Sequence, residues 1–316
     1  MLRPLRPAFE ILLRGDAETV NDIHRLAAPF FETASPSDGP TWQVTLREAS
    51  DAVRLNREGE PPHHVEWVAA DRALTVTATR SWLPVLTIRY LWTLVRAAWV
   101  RNGALPMHAA GVDLAGVGVL LVGDKWAGKT TAALSLSRSL SARLVCNDDV
   151  LLDPRSGGRR WEIVGGPRSV GVRRDSLSEH RPPLSATMLA HAAVRHPGRR
   201  HDKTFLLPRE IVALGGSCSP AARSTDVVVE LQAVDGGVSS VERLQGRAAA
   251  ELVAGYAEPE ADRRRHDLLD AVGRPRPLAS AETWSYVADG ASVLRYRHPR
   301  TGWVSDFLSF MRAETG

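Results

Sequence analysis

Eight consecutive residues, Gly123-Asp124-Lys125-Trp126-Ala127-Gly128-Lys129-Thr130, spell the pattern G-x-x-x-x-G-K-[ST]. Glycines at its ends let the backbone bend tightly. The N–H groups of such a loop, together with the start of a helix behind it, surround an anion with partial positive charge. In this pattern Lys129 reaches the outer phosphates of a nucleotide, the Thr130 hydroxyl ligates Mg²⁺, and Thr131 follows at the phosphate end of the helix. The implied chemistry is the binding of ATP or another nucleoside triphosphate with Mg²⁺, and the transfer of its terminal phosphoryl group.

Other residues extend that chemistry. Asp148 and Asp149 follow the loop closely. One carboxylate of such a pair can hold Mg²⁺ directly or through water, and the other can take the proton of an attacking hydroxyl. His108 precedes the loop, where it could face the phosphates, orient an aspartate or serve the fold alone. Only three of the 40 basic residues are lysine: Lys125, Lys129 and Lys203. Where charge alone is needed this chain uses arginine, so a lysine marks a place for a compact ammonium. Two of the three lie in the glycine loop, and Lys203 becomes a further site residue. Its expected role is to meet the transferring phosphate.

These residues need elements to hold them. Val117 to Val122 is an apolar strand that feeds the loop, and Thr131 to Leu140 continues it as a helix. Met107 to Leu114 reads as the preceding strand, with His108 on it. A short strand from Ala142 to Cys146 delivers the aspartates. Trp161 to Val164 and Ser169 to Val172 flank Gly165-Gly166-Pro167-Arg168, and Arg155 to Arg160 reads as a turn. The segment from His180 to His201, rich in Pro, Ala, Arg and His, reads as a helix or mobile loop near the site. Asp226 to Leu231 and Ser292 to Tyr296 are strands, and Gly246 to Tyr256 is helical. Before the core, Glu18 to Phe31 is helix-like, and Trp42 to Arg47, His64 to Ala69 and Ala73 to Thr79 alternate as strands. The predicted organisation is a small α+β N-terminal domain over residues 1–100, ending in an apolar helix, and a kinase domain over residues 101–316.

Composition narrows the class. A chain of 316 residues with 44% hydrophobic and 24% charged content has the balance of a globular protein. The formal net charge is only +4, and no nucleic-acid motif appears. Basic runs at Arg195 to Lys203 and Arg263 to Arg265 suit solvated faces, or contact with an acidic peptide or nucleotide phosphates. Trp82 to Val100 is the most apolar window, but Pro84, Arg89 and Arg96 interrupt it, so no membrane span is expected. It reads instead as a buried helix between domains. Met1 to Arg14 lacks an apolar signal core, and two cysteines make no metal spacing or disulfide framework. The expected compartment is the cytoplasm.

The stretch from His108 to Gly123, the loop, and Leu144-Val145-Cys146-Asn147-Asp148-Asp149 together resemble the HPr kinase/phosphorylase family. That family carries a histidine before a G-V-G-V-L strand, a P-loop, and a paired aspartate soon after. The resemblance implies an α/β fold with a P-loop core of the HPr kinase/phosphoenolpyruvate carboxykinase-like type. It implies catalytic roles for His108, Lys129 and Asp149, with Asp149 the base that activates a serine hydroxyl, and leaves Asp148 beside Thr130 at the metal. It also implies homo-oligomers. Lys125, Trp126 and Thr130 depart from the family's usual loop. The match looks closer to divergent HPr kinase-like proteins found with peptide natural-product pathways, including kinases of lasso-peptide precursors. The expected acceptor is thus a serine of a peptide or small protein. The alternatives are a small-molecule kinase and a nucleotide-binding regulatory protein without transfer.

Overall fold

Val119 and Leu121 pack toward one side of their strand, Leu120 and Val122 toward the other, and all four are fully buried. A strand apolar at every position is one covered on both faces. In the computed structural model this strand, Val117–Val122, lies in a six-stranded sheet. The strand order is Arg143–Cys146, Ala110–Leu114, Val117–Val122, Val227–Val234, Ser292–Pro299 and Ser240–Leu244, with the central three parallel. Helices Lys129–Ser139 and Val304–Thr315 cover one face. Helices Gly246–Gly255 and Ala281–Asp289 cover the other. The structure describes residues 1–4, 9–34, 40–49, 61, 63–68, 70–154, 161–193, 197, 199–200, 202–258 and 279–316.

The fold is mixed α/β with several sheets. A second six-stranded sheet gathers the N-terminal strands in the order Phe31–Thr33, Leu2–Pro4, Glu10–Arg14, Thr41–Glu48, Ala73–Ala78 and His63–Val68. Helix Ala17–Ala27 starts at Asp16, whose side chain accepts from the Thr19 N–H at 2.9 Å, an N-cap that satisfies one orphan donor. Helix Leu83–Arg101 opens with Pro84 in its first turn and is buried along nearly its whole length. It joins the core of the N-terminal sheet to Leu151, Val164 and Leu207, so apolar packing is continuous across residue 100. Among the described residues no helix is long and apolar enough to cross a membrane.

Two small sheets complete the site's frame. Ala221–Ala222, Glu162–Val164, Val150–Asp153 and Leu105–Met107 form one, all antiparallel. Val170–Arg173, Lys203–Leu206 and Arg199–Arg200 form the other.

Two expectations require correction. The predicted strand Met107 to Leu114 is broken: Met107 pairs with Val150 in the four-stranded sheet, and Ala110 pairs with Leu121 in the central sheet. His108 lies in the bend between two sheets rather than on a strand. The segment from His180, read as a helix or a mobile loop, is not the mobile loop where it is described: it carries a helix. His180 is fully buried, Ser185 caps helix Ala186–Ala192, and Leu184, Leu189, Ala192 and Ala193 enter the main core. Those four apolar side chains anchor a segment whose composition suggested mobility. The expected turn at 155–160, the basic run at 263–265 and residues 194–196, 198 and 201 lie outside the described residues.

Candidate functional site

Strand Val117–Val122 ends inside the sheet, and the chain turns through Gly123 to Gly128 before helix Lys129–Ser139 begins. Gly123, Trp126 and Gly128 have φ of 144°, 80° and 91°. Gly128 is the residue before the helix, and no side chain caps that helix start. A Cβ at Gly128 would lie 2.5 Å from the Trp303 ring, so only glycine fits both the dihedral and the space. Trp303 stacks on His298 with centroids 3.9 Å apart, and His298 Nε2 is 3.1 Å from the Ala127 carbonyl oxygen. The loop is thus braced from the strand Ser292–Pro299 and the turn after it. Burial lowers the His298 pKa, with its contacts to backbone carbonyls opposing.

Lys129 is buried, and its Nζ donates to the Gly123 carbonyl at 2.5 Å and the Asp124 carbonyl at 3.3 Å. Burial pulls its pKa down, against the charges of Asp148 and Asp124. The Thr130 hydroxyl donates to Asn147 Oδ1 at 3.0 Å, which leaves its oxygen lone pairs available. Asp124, Lys125 and Trp126 are exposed, Ala127 and Thr131 buried.

The aspartate pair is split by backbone geometry. Asp148 has φ 64°, a left-handed conformation that turns successive side chains to different environments. Asp148 is exposed toward the cavity, and Asp149 is 2% exposed. Asp149 Oδ2 accepts from Trp92 Nε1 at 2.9 Å and from Arg168 Nη1 at 2.7 Å. Arg96 Nε is 2.9 Å from Asp149 Oδ1, and Arg96 Nη2 is 2.6 Å from Glu258 Oε2. Glu258 Oε1 is 3.9 Å from His108 Nδ1. Burial raises the Glu258 pKa, opposed by Arg96 and assisted by Asp149.

This arrangement bears on the expected roles. A carboxylate that receives a proton or ligates a metal needs an accessible lone pair. Asp148 has its carboxylate open, whereas both oxygens of Asp149 face arginine nitrogens.

A single cavity of about 1250 Å³ gathers most of the expected residues: His108, Asp124 through Thr131, Asp148, Asp149 and Lys203. Gly123 turns the loop beneath it. Lys203 is half-buried on strand Lys203–Leu206, opposite Arg173, and carries no ion pair among the described residues. Sequence reading missed Trp92, Arg96, Arg168, Glu258 and His298. Gly165-Gly166 held a signal for the first and third. A Cβ at Gly166 would lie 2.2 Å from the Trp92 ring, and one at Gly165 2.1 Å from the Val145 carbonyl oxygen. Bare backbone there lets the turn pass close to Trp92 and carry Arg168 to Asp149. The remaining arginine, glutamate and histidine have no local pattern that marks them.

No family model matches the sequence, and no curated protein matches it. Among solved structures, the Hpr(Ser) kinase/phosphatase from Coxiella burnetii is similar at 11% identity and a TM-score of 0.32. The match covers 66% of this chain and 95% of that one. A likeness this slight carries no argument about mechanism.

Proposed function

We propose that this protein is a Mg²⁺-dependent kinase that transfers the γ-phosphoryl group of a nucleoside triphosphate to a serine hydroxyl of a peptide or small protein. The observation that carries the reading is the shared cavity of the glycine loop, Lys129 and the open carboxylate of Asp148. Phosphoryl transfer asks mainly for positioned charge on the phosphates and a group to receive the acceptor's proton. Lys129 and the loop N–H groups serve the first need. Asp148 serves the second, in place of the clamped Asp149, which instead fixes Arg96 and Arg168.

The residues fit Mg²⁺ in part: the Thr130 hydroxyl presents a hard oxygen donor to the cavity, and phosphate oxygens and waters would complete the ion's shell while Asp148 keeps its carboxylate for the acceptor's proton. Among the described residues no cluster of three or more His, Cys, Asp or Glu could hold a metal by itself. That suits an ion which keeps waters and binds largely through substrate phosphates. When bound, Mg²⁺ neutralises charge on those phosphates. At about 1250 Å³ the cavity has room for a donor nucleotide and an acceptor group together. The peptide acceptor rests on the resemblance of the loop and aspartate stretches, and the test below separates it from a small-molecule acceptor.

The test is to incubate the protein with MgATP and a pool of serine-containing peptides, and to locate added phosphate by mass spectrometry. Phosphoserine that disappears with Lys129→Ala is the expected result. A folded protein that binds MgATP and modifies only metabolites would overturn the acceptor assignment. One that binds no nucleotide would overturn the whole reading.

A further inference from the structure

Trp126 is costly where it stands. Its φ of 80° is a backbone conformation that glycine adopts freely and a large side chain does not. Its side chain is not buried in compensation, since the residue is 57% exposed. Local strain of this kind, kept in a loop that faces a cavity, points toward function rather than packing.

The ring is also held in one orientation. The Arg173 guanidinium lies over it, 3.6 Å from the centroid. Arg173 is itself fixed by Asp175, with Nε 3.0 Å from Oδ1 and Nη2 2.7 Å from Oδ2. A flat, preoriented aromatic surface with more than half of the residue still exposed is a stacking platform. Trp126 lies three residues before Lys129, inside the loop read as the phosphate cradle.

We propose that Trp126, backed by Arg173, is the platform on which the nucleobase of the donor nucleotide stacks. The proposal rests on the phosphate-binding reading of the loop and adds to it the place of the base. A base is tethered to the phosphates that the loop would grip, so a ring within that loop is in reach of it. Stacking tolerates any base because every base has a π face. An aromatic side chain of the acceptor has the same chemistry, but nothing ties it to this loop.

The experiment compares two probes, MgATP and magnesium tripolyphosphate, by calorimetry. The variants are Trp126→Gly, which suits the left-handed backbone, Trp126→Leu, which keeps bulk without a π face, and Trp126→Phe. Loss of base stacking should weaken ATP about fivefold or more in the Gly and Leu variants. Tripolyphosphate should stay within about twofold, and Phe should keep most of the ATP affinity. Equal weakening of both probes would overturn the proposal, because Trp126 would then act on the phosphate grip. Unchanged ATP affinity would overturn it too. If neither probe binds the wild-type protein, the phosphate-binding reading falls first and the platform with it.

Discussion

Arg96 bridges Asp149 and Glu258, with Nε 2.9 Å from one carboxylate and Nη2 2.6 Å from the other. It is 4% exposed, on a helix that also packs against the N-terminal sheet. Removing one partner of a buried ion pair leaves uncompensated charge, which costs roughly 3–5 kcal/mol. Arg96→Ala should therefore lower the denaturation midpoint markedly, and Arg96→Lys should recover only part, since an ammonium cannot reproduce the two-pronged contact. An alanine variant as stable as wild type would show that Arg168 and Trp92 suffice to hold Asp149.

Asp148→Asn and Asp149→Asn should part company. Losing an accessible proton acceptor should cut kcat by about 10²–10⁴-fold with nucleotide affinity within about tenfold. That pattern is expected of Asp148→Asn. Asp149→Asn should instead destabilise the fold by on the order of 3 kcal/mol, because Arg168 loses its counter-charge and Arg96 is left with Glu258 alone. Kinetics and denaturation on both variants decide the matter. A stable Asp149→Asn protein without transfer activity would return the base role to Asp149.

Lys203→Ala should reduce kcat by about 10²-fold with little change in nucleotide affinity, because a cation that meets developing charge acts in the transition state. Lys203→Arg should not restore the rate fully, given the different shape of its charge. Near-normal kcat for the alanine variant would make Lys203 an ordinary strand residue.

His180 predicts an acid-sensitive fold. Its pKa falls from 6.5 to about 4, chiefly through burial, with Arg138 adding to the effect. The unfolded chain then binds a proton more readily than the folded one between those values. Stability from this residue is fully present above about pH 6.5 and is lost as pH falls toward 4, on the order of 3 kcal/mol in all. His180→Leu should flatten the stability profile over that window, as read by urea denaturation at pH 4.5 and 7. An unchanged slope would place the acid sensitivity elsewhere.

The glycine loop, its strand and its helix were legible because all three depend on near neighbours in sequence. Apolar runs marked Val117–Val122, and the loop pattern needs only eight residues. The aspartate pair was visible as a pair, but its division was not, since a left-handed φ at Asp148 depends on the tertiary surroundings. Trp92 and Arg96 stand far before the loop and Glu258 far after it. Contacts at such separations leave no periodicity to read. His108 misled for a related reason: the residues around it read as one strand, yet its neighbours join two different sheets.

Helix Leu83–Arg101 has a consequence for anyone trimming this chain. A protein started at residue 101 would keep the loop, both aspartates and Lys203. It would lack Trp92 and Arg96, which both hold Asp149, and the apolar surface that meets Leu151 and Val164. The first hundred residues are therefore not a detachable tag, and a minimal expression unit must begin before Leu83.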